Sequence, residues 1–224
     1  MDIRWFGQSF FEITADTEAK KGLKIYIDPF GDVIGIKPPS NLEGDAVLIT
    51  HGHPDHNNLG AFKSAGLAIN TPGEYSVGGA DIKGLLTFHD DKSGTERGLN
   101  VVYILEAENI RVVHLGDIGQ TPTEAQIQKI DGVDVLMIPA GGSPAGPTVA
   151  PKEAFKIIKQ LEPKVVIPMH YKIPGHKATN IGDLDTFCKE MGVCATEPVK
   201  KISLKAGTLA GKEMEVIIME PQKN

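Results

Sequence analysis

The chain has 224 residues, which is long enough to bury a full hydrophobic core. Its 41% hydrophobic and 23% charged residues exclude intrinsic disorder, collagen-like repeats and a membrane-spanning architecture. Because the formal net charge is −6, extended contact with nucleic acid or anionic lipid is disfavoured. We therefore expect a small-molecule substrate as the partner, with no membrane partner and with nucleic acid disfavoured; no feature specifies an oligomeric state.

The first half of the chain is rich in predicted strands. Short β-branched or aromatic runs, each bounded by Gly, Pro, Asp or Asn, predict strands at residues 3–7, 10–14, 23–30, 46–51, 66–70, 81–88, 100–107 and 110–117.

The second half alternates helix with strand. Helical periodicity is found at residues 121–130, 151–161 and 181–192, and predicted strands lie at 133–140 and 164–170, with a final strand pair near 199–204 and 214–220. The Gly/Pro-rich stretch at 140–151 is expected to be a loop within the domain. No linker divides the chain, so we expect residues 1–224 to form a single α/β domain.

The sequence shows neither a secretory signal nor a membrane span, so we expect a cytoplasmic protein. Its two cysteines, Cys188 and Cys194, are too few for a disulfide framework. They could pair across a short turn, although buried thiols are the more ordinary expectation.

Metal-ligating residue types follow one predicted buried strand. Within six positions the chain places His51, His53, Asp55 and His56, whose nitrogen and oxygen donors suit a borderline cation such as zinc. Because side chains two apart on an extended segment project to the same side, His51 and His53 can share one ion. Pro54 interrupts regular hydrogen bonding, so Asp55 and His56 lie beyond a turn and are placed for a second ion.

Further candidate ligands stand at the ends of three other predicted strands: His89, Asp117 and His170. Residues just beyond the carboxyl ends of strands converge on one edge of a sheet, where ligands gather. His114 competes with His89 for the role of third histidine ligand, and we prefer His89. We expect His114 either to hold a carboxylate ligand by a hydrogen bond or to pack beneath the site.

In these residues the chain resembles the metallo-β-lactamase superfamily of metal-dependent hydrolases. The H-x-H-x-D-H signature of that family and its remaining ligands match, in order, His51, His53, Asp55, His56, His89, Asp117 and His170. The resemblance implies a four-layer αββα sandwich with a binuclear site at one edge of the two sheets, holding two Zn²⁺ or, as the second choice, Mn²⁺. It is strongest to compact cytoplasmic branches near the phosphorylated-sugar lactonases and ribonuclease Z.

The chemistry implied is hydrolysis by a hydroxide that bridges two ions about 3.5 to 4 Å apart. Asp117 is expected to lie between the ions, and Asp55 to orient or deprotonate the nucleophile. Tyr171 could donate a hydrogen bond to the developing oxyanion or pack beside the site. No cysteine lies near a ligand motif, so β-lactam hydrolysis is not expected.

Residues of the substrate pocket are less strongly indicated. Arg97 and Asn100 follow His89 and are predicted to bind substrate, Arg97 through a phosphate or a carboxylate. Asp28 ends another strand, and we expect it to shape a turn or to support a ligand. His176 is expected to be exposed or at the pocket rim.

Three functions are compatible with this site. The favoured one is a binuclear hydrolase of a small, anionic ester, lactone or phosphodiester. A nuclease or phosphodiesterase acting on RNA or DNA requires a basic groove, whereas the lysines are dispersed and the net charge is −6. A non-catalytic metal-stabilised scaffold ought to have lost ligands, yet all seven positions are filled.

Overall fold

Two β-sheets form the framework of the computed structural model, which describes residues 1–143, 146–192 and 197–222. The strands of sheet A are β1 (Asp2–Gly7), β2 (Phe10–Ala15), β3 (Leu23–Ile27), β4 (Leu42–Leu48), β5 (Phe62–Ile69) and β12 (Ile202–Ser203). Their order across the sheet is β12-β1-β2-β3-β4-β5.

Sheet B contains the remaining strands of the described ranges. They are β6 (Gly73–Val77), β7 (Ala80–Phe88), β8 (Leu99–Ala107), β9 (Ile110–His114), β10 (Val135–Pro139), β11 (Val165–Met169) and β13 (Glu215–Val216). The order is β13-β11-β10-β9-β8-β7-β6. Because β9, β10, β11 and β13 run parallel, their carboxyl ends lie at one edge of the sheet.

Three of the four helices in the described ranges follow parallel strands of sheet B, and the fourth follows β12 of sheet A. The helices are α1 (Glu124–Ile130), α2 (Pro151–Leu161), α3 (Leu184–Met191) and α4 (Ala206–Leu209), and a 3-10 turn covers Leu59–Ala61. A capping box begins α1: the Thr123 hydroxyl accepts from the Gln126 N–H, and the Gln126 side chain accepts from the Thr123 N–H. The helix α2 packs on β10 and against α1 and α3.

The inward faces of both sheets share one hydrophobic core. In β1 and β2, Trp5 and Phe11 lie in this core, whereas their neighbours Phe6 and Phe10 belong to a second apolar cluster. This alternation follows from the two-residue period of a strand, and it means that sheet A is buried on both faces.

The outer face of sheet A is covered by the chain between β3 and β4, where Phe30 and Ile34 pack on Phe10 and Tyr26. The predicted α/β sandwich class is confirmed. The cover on sheet A comes from this irregular segment, while α1, α2 and α3 follow strands of sheet B.

Several predicted elements differ from the structure. The strand expected at 46–51 ends at Leu48. The strand β6 was missed, although the Gly78–Gly79 pair, with φ of 55° and 84°, is a turn signal for its hairpin with β7. Both expected final strands are present as β12 and β13, but they pair with β1 and β11, and the two predicted segments meet each other through an isolated parallel bridge between Val199 and Met219.

The cysteine expectation also needs correction. Cys188 lies in α3 and is disulfide-bonded, so the expected pair of thiols is wrong for this residue. Cys194 lies outside the described residues.

None of the helices in the described ranges combines the length and apolar composition that crossing a bilayer requires. The single-domain organisation and the cytoplasmic location stay predictions.

Candidate metal centre

Loops that follow four strands converge on one group of side chains, here called the seven-residue cluster: His51, His53, Asp55, His56, His89, Asp117 and His170. Three overlapping subsets have one ligand atom per residue within 4.8 Å of one another: His51 with His53 and His89, His51 with His56 and Asp117, and Asp55 with His56 and His170. The structure therefore brings together every residue that the sequence predicts as a ligand.

The loop after β4 reaches this arrangement by a different route from the one predicted. Residues 50–53 form bends rather than an extended strand, and the His56 N–H closes a turn onto the His53 carbonyl at 3.0 Å. The rings of His51 and His53 nevertheless lie 4.6 Å apart, centroid to centroid. Convergence comes from the turn and not from strand alternation.

Asp28 and Thr50 decide which nitrogen His51 presents to the cluster. Asp28 Oδ1 accepts from the Thr50 N–H at 2.8 Å, and Asp28 Oδ2 accepts from the Thr50 hydroxyl at 2.7 Å. Because the single hydroxyl proton of Thr50 is used in this way, its oxygen must accept from His51 Nδ1, which lies 3.0 Å away. His51 Nε2 is left as a bare acceptor facing the cluster. Asp28 is therefore linked through Thr50 to a predicted ligand.

Asp117 occupies the centre of the cluster. Its Oδ2 lies 3.0 Å from His170 Nε2, 3.3 Å from His56 Nε2 and 3.5 Å from His89 Nε2. Gly116 turns the chain before it with φ of 57°, and a Cβ at Gly116 would meet Asn100 Oδ1 at 2.3 Å. A larger residue at position 116 would therefore displace Asp117.

Asn100 holds the backbone of Asp117, so its predicted role in substrate binding is wrong. It is fully buried, its Oδ1 accepts from the Asp117 N–H at 3.0 Å, and its Nδ2 donates to Thr87 Oγ1 and to the Leu115 carbonyl. These contacts use its amide group inside the protein. The sequence predicts that Asn100 lies near the metal ligands, but it does not show that the Asn100 side chain points into the protein rather than into the pocket.

His114 packs beneath the site, with its ring edge-on to Phe11 at a centroid distance of 5.7 Å and both ring nitrogens on main chain. Its Nε2 lies 3.0 Å from the Ser9 carbonyl, and its Nδ1 accepts from the Gly116 N–H at 3.1 Å. Both ring nitrogens are therefore occupied by backbone. Of the two roles expected for His114, packing beneath the site is the one observed, and a hydrogen bond to a carboxylate ligand is not.

Burial and mutual charge set the protonation states in the cluster. Burial, with a smaller contribution from His56, lowers the pKa of His51 to about 2, so this ring is neutral. Burial alone would raise the pKa of Asp117, but His170 and His56 hold it well below the usual value. Burial lowers the pKa of His56, yet Asp117 and Asp28 more than offset this and raise it well above its usual value. A cation that binds His56 must therefore displace a proton.

The donor set fits divalent metal ions. Among the described residues, six of the eight buried side-chain polar atoms without a hydrogen-bond partner belong to the cluster: His51 Nε2, His56 Nε2, His89 Nδ1, Asp117 Oδ1, His170 Nδ1 and His170 Nε2. An unpaired buried polar atom costs about 1–3 kcal/mol. Six such atoms in one cluster therefore fit a site that binds an electron-pair acceptor such as a metal ion. Imidazole nitrogens with carboxylate oxygens are the donors that zinc prefers.

A cavity of about 210 Å³ opens onto the cluster, and cavities of about 470 and 510 Å³ adjoin it. Arg97 lines all three, and its guanidinium has no ion pair or hydrogen bond within the described part of the chain. Asp90 shapes this loop by accepting backbone N–H groups from Lys92, Gly94, Glu96 and Arg97. The structure thus leaves Arg97 available at the site, as its predicted role requires.

Tyr171 packs away from the cavities, whereas His176 lies at the rim of one, which is one of the two positions expected for it. Tyr171 is buried and does not line the cavities, and its ring packs on Trp5 at a centroid distance of 5.3 Å. The structure therefore supports the packing alternative and not the predicted catalytic contact. His176, expected to be exposed or at the rim, is 93% buried and borders the cavity.

Sequence reasoning missed Gln8, which is fully buried and donates from Nε2 to Asp55 Oδ2 at 2.8 Å. No metal-ligand motif includes a glutamine in a tight turn, so no local signal distinguished it.

Comparison with known proteins places this geometry in context. Residues 2–170 match the model of the beta-lactamase superfamily domain. A UPF0173 metal-dependent hydrolase from Methanopyrus kandleri is 30% identical over 201 residues, covering 76% of this chain and 84% of the relative. Another from Thermococcus onnurineus is 29% identical over 196 residues, covering 75% and 84%.

Solved structures show the same architecture. A Thermotoga maritima protein, assigned by name to the Zn-dependent hydrolases of the metallo-β-lactamase superfamily, is 35% identical with a TM-score of 0.75, and the match covers 97% of both chains. The metallo hydrolase Igni18 from Ignicoccus hospitalis is 22% identical with a TM-score of 0.65, covering 99% of this chain and 96% of that one. The second likeness concerns the fold alone.

Proposed function

Since the chain belongs to the metallo-β-lactamase superfamily of metal-dependent hydrolases, we propose that it uses two divalent metal ions to hydrolyse a small anionic ester, lactone or phosphodiester. The observation that carries the binuclear part is the convergence of the seven-residue cluster, whose side chains hold six of the buried polar atoms without a hydrogen-bond partner in the described ranges.

The cluster divides into two sets with one shared member. His51, His53 and His89 would hold one ion, and Asp55, His56 and His170 the other. Asp117 lies between them, because its Oδ2 approaches ring nitrogens from both sets. When bound, two such ions supply Lewis acidity and lower the pKa of a water toward neutrality. Zinc is the first candidate and manganese the second.

Asp55 and Asp117 both line the cavity of about 210 Å³, and Asp55 is the more accessible of the two, because its side chain is 26% exposed while that of Asp117 is 2% exposed. Burial raises the pKa of Asp55, but its contacts with His56 lower it below the usual value. A carboxylate with a depressed pKa is a weak general base. We therefore assign Asp55 to orienting the attacking water rather than to removing its proton.

Arg97 supports an anionic substrate. The nearby Glu96 carboxylate pairs with Lys92, and Asp90 is held by four backbone N–H groups, so neither engages the Arg97 guanidinium. An unpaired guanidinium beside the cluster can bind a carboxylate or phosphate through two hydrogen bonds.

The same cavities argue against a nuclease. Arg97 is the single Lys or Arg side chain among the described residues that line them. Binding a nucleic acid backbone requires several such cations, because affinity grows with the number of phosphates neutralised.

Hydrolysis by zinc-loaded protein tests the proposal. A panel of phosphodiester, lactone and carboxylated ester compounds, with neutral esters beside them, should show turnover that is lost on chelation and restored by zinc or manganese. Asp117→Asn, which alters the central carboxylate, should lack this turnover. Absence of hydrolysis across the panel by protein carrying two ions would contradict the proposal.

A further inference from the structure

The turn between β1 and β2 passes under the seven-residue cluster and is held there by main-chain contacts. Gln8 has φ of 51° and is fully buried. Its carbonyl accepts from the His170 N–H at 3.0 Å and from Trp5 Nε1 at 3.0 Å. The next carbonyl, that of Ser9, contacts His114 Nε2 at 3.0 Å. A turn of sheet A therefore supports two strand ends of sheet B.

The Gln8 side chain joins two further residues. Its Nε2 donates to Asp55 Oδ2 at 2.8 Å, and its Oε1 lies 3.1 Å from His176 Nε2. The direction of these bonds follows from Ala178, whose N–H donates to His176 Nδ1 at 3.2 Å. His176 must then carry its proton on Nε2 and donate it to Gln8 Oε1, which leaves the Gln8 NH₂ for Asp55.

We propose that Gln8 is a positioning residue for the Asp55–His56–His170 set, and that His176 keeps the Gln8 amide in the orientation that Asp55 requires. Gln8 holds Asp55 through its side chain and His170 through its main chain, so one residue sets the spacing of two members of the set.

The physical reason is the position of Asp55. It lies in a turn after Pro54 and is partly exposed, and its other polar contacts in the described ranges are longer than the bond to Gln8: 3.5 Å to His56 Nε2 and 4.0 Å to His170 Nε2. The Gln8 amide bond adds a directional restraint, and His176 prevents that amide from rotating by 180° and presenting an oxygen to the carboxylate. This inference rests on one part of the proposed function, namely that Asp55, His56 and His170 hold a metal ion.

Gln8→Met tests the inference, because methionine keeps the length of the side chain and removes its hydrogen-bonding groups. Zinc content is measured by elemental analysis, and the two zinc affinities by competition with a chromogenic chelator. We expect one zinc to bind as in the wild type and the other to bind about 10- to 100-fold more weakly.

The matched control is Gln126→Ala. It removes a glutamine of α1 that bonds to Thr123 at the start of that helix and to the Leu86 carbonyl of β7. It should lower the melting temperature and leave both zinc affinities unchanged. A Gln8→Met protein that does the same would overturn the inference, since a purely structural role affects stability alone.

His176→Phe tests the second half. It removes the donor to Gln8, so the same zinc ion should bind more weakly, and the double variant should be no weaker than Gln8→Met alone. Additive losses would overturn the claim that His176 acts through Gln8. Should Gln8→Met fail to fold, an unchanged zinc affinity in His176→Phe would by itself overturn the inference. A wild-type chain that binds fewer than two zinc ions contradicts the binuclear proposal instead, so the two failures are distinguishable.

Discussion

Asp28 Oδ2 accepts a hydrogen bond from His56 Nδ1 at 2.9 Å, and both side chains are completely buried. Because Nδ1 donates this bond, His56 presents Nε2 to Asp117, and a cation that displaces the Nε2 proton would bind there. Asp28 acts on His51 as well, through Thr50. One carboxylate outside the cluster thus sets the tautomers of two of its histidines, and hydrogen bonding of this kind orients metal-bound imidazoles.

Asp28→Asn should weaken metal binding by about 10- to 100-fold. The amide has a single acceptor oxygen, whereas Asp28 accepts three hydrogen bonds, so at least one of its donors loses its partner. The loss of a charged hydrogen bond should also cost about 1.5–3 kcal/mol of unfolding free energy. Calorimetric titration with zinc measures the first effect and urea denaturation of the metal-free protein the second.

Asp134→Asn is the control for Asp28→Asn, because Asp134 bonds to the Arg111 N–H and to Lys164 away from the cluster. It should lower stability without changing zinc affinity. Equal zinc affinity in Asp28→Asn and the wild type would show that His56 keeps its orientation without Asp28.

Metal stoichiometry should reach two ions per chain after reconstitution with excess zinc or manganese. The reason is the presence of two donor sets that share Asp117. Elemental analysis decides the matter, and a value at or below one ion per chain would exclude the binuclear mechanism. Removal of the ions by a chelator should lower the melting temperature, because bound metal stabilises only the folded chain.

His89→Ala should remove most of the metal from one set, because His89 lies with His51 and His53. His114→Ala should leave occupancy largely intact and reduce affinity or activity by about 10- to 100-fold, since the ring nitrogens of His114 bond to the Ser9 and Gly116 main chain and not to the cluster. Metal content of the two purified variants is the measurement. The reverse pattern would make His114 the ligand.

Arg97→Ala should raise KM for a phosphorylated or carboxylated substrate much more than for a matched neutral ester. The ratio of kcat/KM for wild type and variant on the anionic substrate should correspond to about 1.5–3 kcal/mol of lost transition-state stabilisation, which is the contribution of one charged hydrogen bond. Lys92→Ala is the control, because Lys92 lies on the same loop, pairs with Glu96 and does not line the cavities. If Arg97→Ala and the wild type have identical kinetics on both substrates, Arg97 is an ordinary surface residue.

The sequence by itself determined the α/β class and the residues of the cluster. His51, His53, Asp55 and His56 are recognisable because four ligand-type side chains stand within six positions. His89 and His170 are recognisable because each directly follows a strand, and the ends of strands meet at one sheet edge. Composition and local spacing contain this information, so no tertiary contact was needed to find it.

Only the tertiary structure decided which side chains hold the cluster in place. Gln8 meets Asp55 across 47 positions and His176 across 168, and His114 meets the Ser9 carbonyl across 105. Asn100 lies next to the predicted pocket in sequence, yet its amide turns inward to Asp117. The direction of a side chain and the partner of each buried polar atom depend on how the two sheets pack, and hydrogen bonds require angles and distances that residue spacing along the chain does not encode.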